Sequence, residues 1–292
     1  MAVRKKDRFI LHSGDCVGIV GCSNAIRSNI RWQLEQLQRV LMQMGIVPIL
    51  SPYLFREGHE SSTGQQRAEA FMDCYRDDNI VAIFDISGGD LANGVLEYLD
   101  YEQIQKNPKP VFGYSDVTVL LNAIYKKTGQ KGYLYQIRNL VSDKGTIQHK
   151  KFVNSLLQGR EDLYQVRWHW MQNISMEGIV VGGNLRCLLK LAGTEFFPDV
   201  KDKLLFLESR SGTPEYITSC LTQLKQMGVF KQIKGLLLGT FSQLEEQWGE
   251  SVVEQIVLRI LKDPLLPIAR TREIGHGLDS QCIIIGDYYE IK

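Results

Sequence analysis

An alternation of apolar strands with amphipathic helices is the sequence feature that most constrains the fold of this chain. Residues 16–20 form a short apolar run, and residues 30–44 carry apolar side chains at helical spacing before Gly45 ends the pattern. The alternation continues with a predicted strand at 46–50, a helix at 68–75 and a strand at 80–86. Because parallel strands need crossover connections such as these helices, the pattern predicts an α/β fold with helices on both faces of a parallel sheet.

The pattern weakens after residue 132 and then resumes, which predicts two domains. The length agrees, since 292 residues suffice for one large domain or two ordinary ones. Residues 137–175 are longer than most loops within a domain and are predicted to connect a unit at 1–136 with a unit at 176–292. In the second unit, strands are expected at 204–207, 235–238 and 282–285.

Composition and charge exclude several classes of partner. The net charge of +1 does not indicate a strongly basic surface that would bind a nucleic acid polymer or an anionic membrane. A small partner is therefore expected. No apolar run approaches the length of a membrane span or has the form of an export signal, and six scattered cysteines predict reduced thiols. The chain has neither G-x-G-x-x-G nor H-E-x-x-H, so no dinucleotide or metal cofactor is expected. These features predict a soluble, cytoplasmic protein.

Ser115 lies at a predicted bend between a strand and a helix. Residues 109–118 read KPVFGYSDVT, and apolar side chains at helical spacing follow until Gly129 ends the helix. In one interpretation, Ser115 or Asp116 caps the helix N-terminus. In the other, Ser115 is a nucleophile on an elbow, and the backbone N–H of Asp116 faces the oxyanion that its attack creates. The stretch lacks the second glycine of G-x-S-x-G, so both interpretations stay open here.

Paired glycines follow the third strand, in Ser87-Gly88-Gly89. Glycines at such a turn let backbone N–H groups approach a ligand, although a plain tight turn has the same composition. In an open parallel sheet, binding sites form outside the carboxyl ends of the strands. Both this turn and Ser115 lie at such ends.

A glutamate and a histidine in the second unit are candidates for the same chemistry. Glu208 closes an apolar strand, where a carboxylate is either solvated or held by a specific partner. His276 lies between glycines on a predicted loop, which leaves it free to face a cleft, whereas His169, between two tryptophans, is expected to be packed. With Ser115, these side chains can form a triad of nucleophile, base and orienting acceptor.

Seven short motifs together resemble the L,D-carboxypeptidase family of serine peptidases, which also contains the microcin C immunity hydrolases. The resemblance spans nearly the whole chain, and the order and spacing of the motifs make it specific. The motifs are Ser13-Gly14-Asp15, Ser87-Gly88-Gly89, Leu99-Asp100-Tyr101, Gly113-Tyr114-Ser115-Asp116, Gly182-Gly183-Asn184-Leu185, Leu205-Phe206-Leu207-Glu208 and Gly275-His276.

The resemblance implies a Rossmann-like N-terminal domain, a smaller α/β C-terminal domain with a β-barrel-like core, and an active site between them. It implies that Ser115 is the nucleophile, His276 the general base and Glu208 its orienting partner. The implied oxyanion hole consists of backbone N–H groups of Asp116 and of Gly88 or Gly89. Family members are commonly dimers, so a homodimer is expected.

Two positions depart from the family's pattern. Ser87 stands where carboxypeptidase members often carry an arginine before the paired glycines. The family's His-Gly-Pro, after the nucleophile helix, is replaced around residues 135–138. Both departures lie near the expected substrate position and therefore bear on substrate identity.

The expected function is the release of terminal D-alanine from a murein tetrapeptide through an acyl-enzyme. One alternative is hydrolysis of a peptidyl or aminoacyl nucleotide, with Trp168 and Trp170 stacking on its base. A third hypothesis is a binding protein with an inactive triad. Asn184 is a further candidate for substrate contact. The group that recognises the substrate's carboxylate stays open among Arg67, Arg138, Arg186 and Arg210.

Overall fold

The computed structural model of the protein describes residues 8–56 and 62–292. The strands of this described part are β1 (Cys16–Val20), β2 (Ile26–Arg27), β3 (Val47–Leu50), β4 (Phe55–Arg56), β5 (Ile80–Asp85), β6 (Val111–Gly113), β7 (Gly132–Leu134), β8 (His169–Gln172), β9 (Met176–Asn184), β10 (Leu204–Ser209), β11 (Gly235–Phe241), β12 (Ile268–Arg270), β13 (Ile283–Ile285) and β14 (Tyr288–Ile291). The α-helices are α1 (Arg31–Gln43), α2 (Gly64–Arg76), α3 (Tyr101–Lys106), α4 (Thr118–Thr128), α5 (Gly145–Phe152), α6 (Leu185–Leu189), α7 (Pro214–Gln226), α8 (Ser242–Trp248) and α9 (Val252–Leu261).

Local sequence signals account for several helix boundaries. Helix α4 ends at Gly129, whose φ of 76° is left-handed and therefore favours a residue without a Cβ. Helix α7 begins with Pro214 after Thr213, whose side chain accepts a hydrogen bond from the backbone N–H of Tyr216. None of the helices in the described residues is long and apolar enough to cross a bilayer.

The first sheet is parallel apart from one edge strand. Its spatial order is β3-β1-β5-β6-β7-β13, and only β13 runs antiparallel to its neighbour. The strand order reverses at β1, so the crevice outside the carboxyl ends of β1 and β5 is the topological switch point, where open α/β sheets bind ligands. The turn with Gly88 and Gly89 follows β5.

The second sheet is also rich in parallel strands and is curled into a half-barrel. Strands β9, β10, β11 and β12 are parallel, and β14 and β8 flank them as antiparallel edges. Glu208 lies at the carboxyl end of β10, and His276 lies on the loop after β12. The functional candidates of this half therefore also lie at the carboxyl ends of parallel strands.

One apolar cluster joins the two sheets. Buried side chains of α4, such as Leu120 and Ile124, belong to the same cluster as Val180 on β9 and Phe206 on β10. Burying each side chain of this kind contributes about 1.5–3 kcal/mol. The helix that follows Ser115 is thus held between the two sheets.

The α/β architecture predicted from the sequence is confirmed, with two differences in detail. The strand expected at 282–285 in the second unit is β13, which joins the first sheet. His169 is exposed, because β8 is an edge strand and the flanking tryptophans, not the imidazole, turn inward. Residues 137–175 contain α5 and β8, and the predicted division into domains stays a prediction.

Candidate active site

Ser115 sits on a sharp elbow between β6 and α4. Its φ is 56°, a left-handed conformation that costs a non-glycine residue about 1–2 kcal/mol. Gly113 makes the bend possible, because a Cβ there would lie 2.4 Å from Cγ1 of Val117. The capping interpretation is wrong, since neither Ser115 nor Asp116 caps the helical turns that follow. Ser115 itself is partly exposed.

The side chain of Asp116 fastens the elbow to its surroundings. It is fully buried, and Oδ2 accepts hydrogen bonds from Ser23 Oγ at 2.6 Å and from the backbone N–H of Ala92 at 2.9 Å. Lys190, from the second unit, forms an ion pair with the other oxygen. These contacts fix the orientation of the peptide that links Ser115 to Asp116.

The paired glycines lie beside the elbow and are held from both units. Gly89 has a φ of 128°, and a Cβ there would lie 2.3 Å from Cγ of Asn24. Its carbonyl accepts a hydrogen bond from Arg186 at 2.8 Å. A Cβ at Gly88 would meet open space, so this turn presents backbone without an obstructing side chain.

Glu208 and His276 are in direct contact. His276 Nδ1 lies 2.7 Å from Glu208 Oε2, and the carboxylate is fully buried. A carboxylate only accepts hydrogen bonds, so Nδ1 carries the proton and the neutral ring has its lone pair on Nε2. In the described part of the chain, this Nε2 is buried and has no hydrogen-bond partner. The imidazole therefore has an unused acceptor.

Tyr114 brings the imidazole next to the elbow. Its ring centroid lies 4.9 Å from that of His276 in an edge-on arrangement with an interplanar angle of 72°. Burial, and then the nearby charge of Glu208, raise the pKa of the Tyr114 hydroxyl well above its usual value. Because Tyr114 precedes Ser115, the same contact places His276 beside the backbone of the elbow.

Asn184 completes the environment of the buried carboxylate. Its Nδ2 donates to Glu208 Oε1 at 2.9 Å, and its Oδ1 accepts from the backbone N–H of Cys187 at 3.3 Å. Its own backbone N–H donates to Thr118 Oγ1, on α4, at 3.0 Å. The predicted substrate contact of Asn184 stays a prediction, and the observed contacts favour a positioning role.

A second side chain of α4 fastens it to β9. Asn122 accepts from the backbone N–H of Gly182 at 2.9 Å and donates to the carbonyl of the same residue at 2.8 Å. Gly183 follows, where a Cβ would lie 2.6 Å from Thr118 Oγ1. This close approach explains the glycine pair before Asn184.

The four candidate arginines differ in what they bind. Arg67 donates to the carbonyls of Cys22, Ser62 and Leu91. Arg186 forms an ion pair with Asp90 and also binds the Gly89 carbonyl. Both guanidinium groups are thus already bound to carbonyl or carboxylate oxygens of the protein. Arg138 and Arg210 form no ion pair with any described residue.

The remaining candidates lie on or near β8. Trp170 is on β8 opposite Ala269, and both Trp168 and Trp170 are half-buried against the cluster that joins the sheets. Their predicted stacking on a base stays a prediction. Ser23 and Lys190 were missed by sequence reasoning, because nothing local in the sequence indicates that both reach Asp116.

Two family models match the chain. One, described as the LD-carboxypeptidase N-terminal domain, matches residues 17–136, and the other, the LD-carboxypeptidase C-terminal domain, matches residues 177–291.

Individual proteins agree with these matches. A putative carboxypeptidase of Treponema pallidum is 28% identical, covering 98% of this chain and 92% of its own length. A probable murein peptide carboxypeptidase of Bacillus subtilis is 28% identical, covering 94% of this chain and 88% of its own length. The solved structure of the microcin C7 self-immunity protein MccF in complex with aspartyl sulfamoyl adenosine superimposes with a TM-score of 0.85 at 21% identity, over 96% of this chain and 94% of that one. That structure shares the fold, and the two domain matches show that the chain belongs to the LD-carboxypeptidase family, S66, of serine peptidases.

Proposed function

We propose that this protein is an L,D-carboxypeptidase in which Ser115 is the nucleophile, His276 the general base and Glu208 its orienting partner. The observation that carries the proposal is the state of His276, whose Nδ1 is bound by Glu208 and whose buried Nε2 has no partner in the described residues. The left-handed elbow at Ser115, next to the tyrosine that contacts the imidazole, supports it further.

The proposed reaction proceeds through an acyl-enzyme. His276 Nε2 accepts the proton of the Ser115 hydroxyl as the oxygen attacks the scissile carbonyl carbon. The resulting oxyanion accepts hydrogen bonds from the backbone N–H groups of Asp116 and of Gly88 or Gly89, and losing one such donor costs about 10²–10³ in rate. Collapse breaks the C–N bond, and His276 protonates the departing amine. Water, activated by the same imidazole, then releases the shortened peptide and restores Ser115.

The proposed substrate is a murein tetrapeptide that loses its terminal D-alanine. The name of the Bacillus subtilis relative, which refers to murein peptides, supports this choice. The alternative is a peptidyl or aminoacyl nucleotide, favoured by the fold shared with MccF and by the half-buried pair Trp168 and Trp170. We further propose that the protein acts as a cytoplasmic homodimer, which size-exclusion chromatography with light scattering tests.

Mass spectrometry of the tetrapeptide after incubation with the protein tests the proposed function. The wild type is expected to remove one alanine, while Ser115→Ala folds normally and loses turnover by several orders of magnitude. A fluorophosphonate probe should label the wild type and not the variant. Cleavage of an aminoacyl sulfamoyl or phosphoramidate nucleotide, with the tetrapeptide intact, would establish the alternative. Absence of both turnover and labelling would mean a binding protein with an inactive triad.

A further inference from the structure

Arg138 lies on a segment that contacts both halves of the candidate site. It belongs to the 3-10 helix Ile137–Val141, which follows β7. Just before it, the backbone N–H of Tyr135 donates to the carbonyl of Gly113, at the elbow, at 2.9 Å. Just after it, Asn139 Nδ2 donates to the carbonyl of Gly277, next to His276, at 3.4 Å. Arg138 is thereby held between the elbow and the histidine loop.

The guanidinium of Arg138 lacks an anionic partner in the described part of the chain. Its Nε is buried without a hydrogen bond, and no carboxylate forms an ion pair with it. Burial lowers the pKa of Arg138, the negative charge of Asp85 opposes this change, and the positive charge of Arg210 adds to it. Arg138 is partly exposed, and a cation whose base is buried without a partner is costly, so an anion that enters this position would gain an interaction with it.

Arg210 is a second positive charge that acts on Arg138, since it lowers the pKa of the Arg138 guanidinium. It comes two residues after Glu208 and is exposed. Like charges repel, and two guanidinium groups near each other are best accommodated when an anion binds both. Arg67 and Arg186 do not offer this arrangement, because carbonyls and Asp90 already occupy them.

We propose that Arg138, assisted by Arg210, binds the terminal carboxylate of the peptide substrate. The inference rests on the proposed function, since a carboxypeptidase must recognise a free carboxylate on the leaving-group side of the scissile bond. The planar fork of a guanidinium matches a carboxylate with two parallel hydrogen bonds, which an ammonium cannot reproduce.

Binding to the Ser115→Ala variant tests the proposal separately from turnover. Calorimetry would compare the murein tetrapeptide acid with the same peptide ending in D-alaninamide. The acid is expected to bind about 10²-fold more tightly than the amide. Adding Arg138→Gln should remove that difference by weakening the acid alone, and Arg138→Lys should restore only part of it. Arg210→Gln, at an exposed position, should weaken the acid about 10-fold without affecting folding.

Arg39→Gln, at an exposed position of α1, is the matched control and should leave both affinities unchanged. Equal weakening of acid and amide by Arg138→Gln would indicate a structural role and overturn the proposal, as would an unchanged preference or no binding of either peptide. Tighter, Arg138-dependent binding of 5′-AMP would mean that the recognised oxyanion is a phosphate and that the carboxylate assignment is wrong. If the acid binds as expected but the wild type releases no D-alanine, the proposed function fails while the carboxylate subsite stands.

Discussion

The side-chain amide of Asn184 donates a hydrogen bond to Glu208, and the distance from Nδ2 to Oε1 is 2.9 Å. This bond gives a partner to the carboxylate oxygen that does not face His276. A buried carboxylate with one bare oxygen would be held less firmly and would be more costly to ionise. Because the backbone N–H of Asn184 also donates to Thr118 on α4, Asn184 links the helix that follows Ser115 to the carboxylate that contacts His276.

Replacing Asn184 with alanine should lower kcat/KM about 10- to 10²-fold, because one oxygen of the buried carboxylate is left unsatisfied. The variant also loses the N-cap of α6, worth about 1 kcal/mol. Thr63→Ala, which removes the N-cap of α2, is the matched control and should destabilise by a similar amount with unchanged kinetics. Equal kinetic losses in both variants would mean that Asn184 matters only for folding.

Replacing Glu208 with glutamine should reduce kcat by about 10²–10⁴, since the neutral amide neither stabilises an imidazolium nor fixes the tautomer of His276. Its volume is nearly the same, so the unfolding midpoint in urea reports whether the fold is kept. Fluorophosphonate labelling of Ser115 should slow in parallel with turnover. A glutamine variant that labels and turns over normally would remove Glu208 from the mechanism.

Replacing Ser115 with glycine should give a more stable protein than replacing it with alanine, by about 1 kcal/mol, because glycine adopts a left-handed φ without strain. Both variants should be inactive. At Ser219, an exposed position within α7, the alanine variant should instead be more stable than the glycine variant, since glycine is the poorer helix former. Urea unfolding measures all four variants, and the same order at both positions would contradict the strain at the elbow.

Lys190 and Asp116 should show strong coupling in a double-mutant cycle. Lys190→Met leaves a fully buried carboxylate without its cation and should cost about 3 kcal/mol, whereas Asp116→Asn in the same chain should recover much of that loss. The free energy of unfolding in urea measures the cycle. Additive effects of the two substitutions would show that the ion pair contributes little.

Alkaline pH should destabilise the protein through its buried thiols. Burial raises the pKa of Cys74 from 9.0 to about 12, so above pH 9 the unfolded chain ionises while the folded thiol keeps its proton, and unfolding becomes easier as pH rises. From about pH 8 to about pH 10 this one group should remove about 1.4 kcal/mol of stability. The free energy of unfolding of Cys74→Ala, measured in urea, should fall correspondingly less between these two pH values. An identical pH dependence of the two proteins would exclude this contribution.

Elements with strong local signals were predictable from the sequence. The apolar stripe of α1 and the Gly129 end of α4 depend on neighbouring residues, and the structure has both of them as expected. The pairing of strands that lie far apart in the sequence was not predictable in this way. Strand β13 reads as part of the second unit, because no local pattern specifies that Ile283 lies opposite Leu134.

The candidate site shows the same limit. Glu208 and His276 could be singled out by a strand end and a glycine-flanked loop, and they lie in contact. The supporting contacts could not be found, because Ser23, Asn184 and Lys190 act on residues 93, 24 and 74 positions away. Choosing among the four arginines likewise required knowing which carbonyls and carboxylates surround each one.

Strand β13 links the two sheets, and it is made only near the end of synthesis. It pairs with β7, yet Gly286 and Asp287 are all that separate it from β14 in the other sheet. The backbone edge of β7 therefore stays uncovered until the ribosome has made the whole of the half-barrel up to β12. A fragment that ends at residue 136, where the N-terminal family match ends, would expose that edge to other chains. The protein should therefore be produced and studied as one piece.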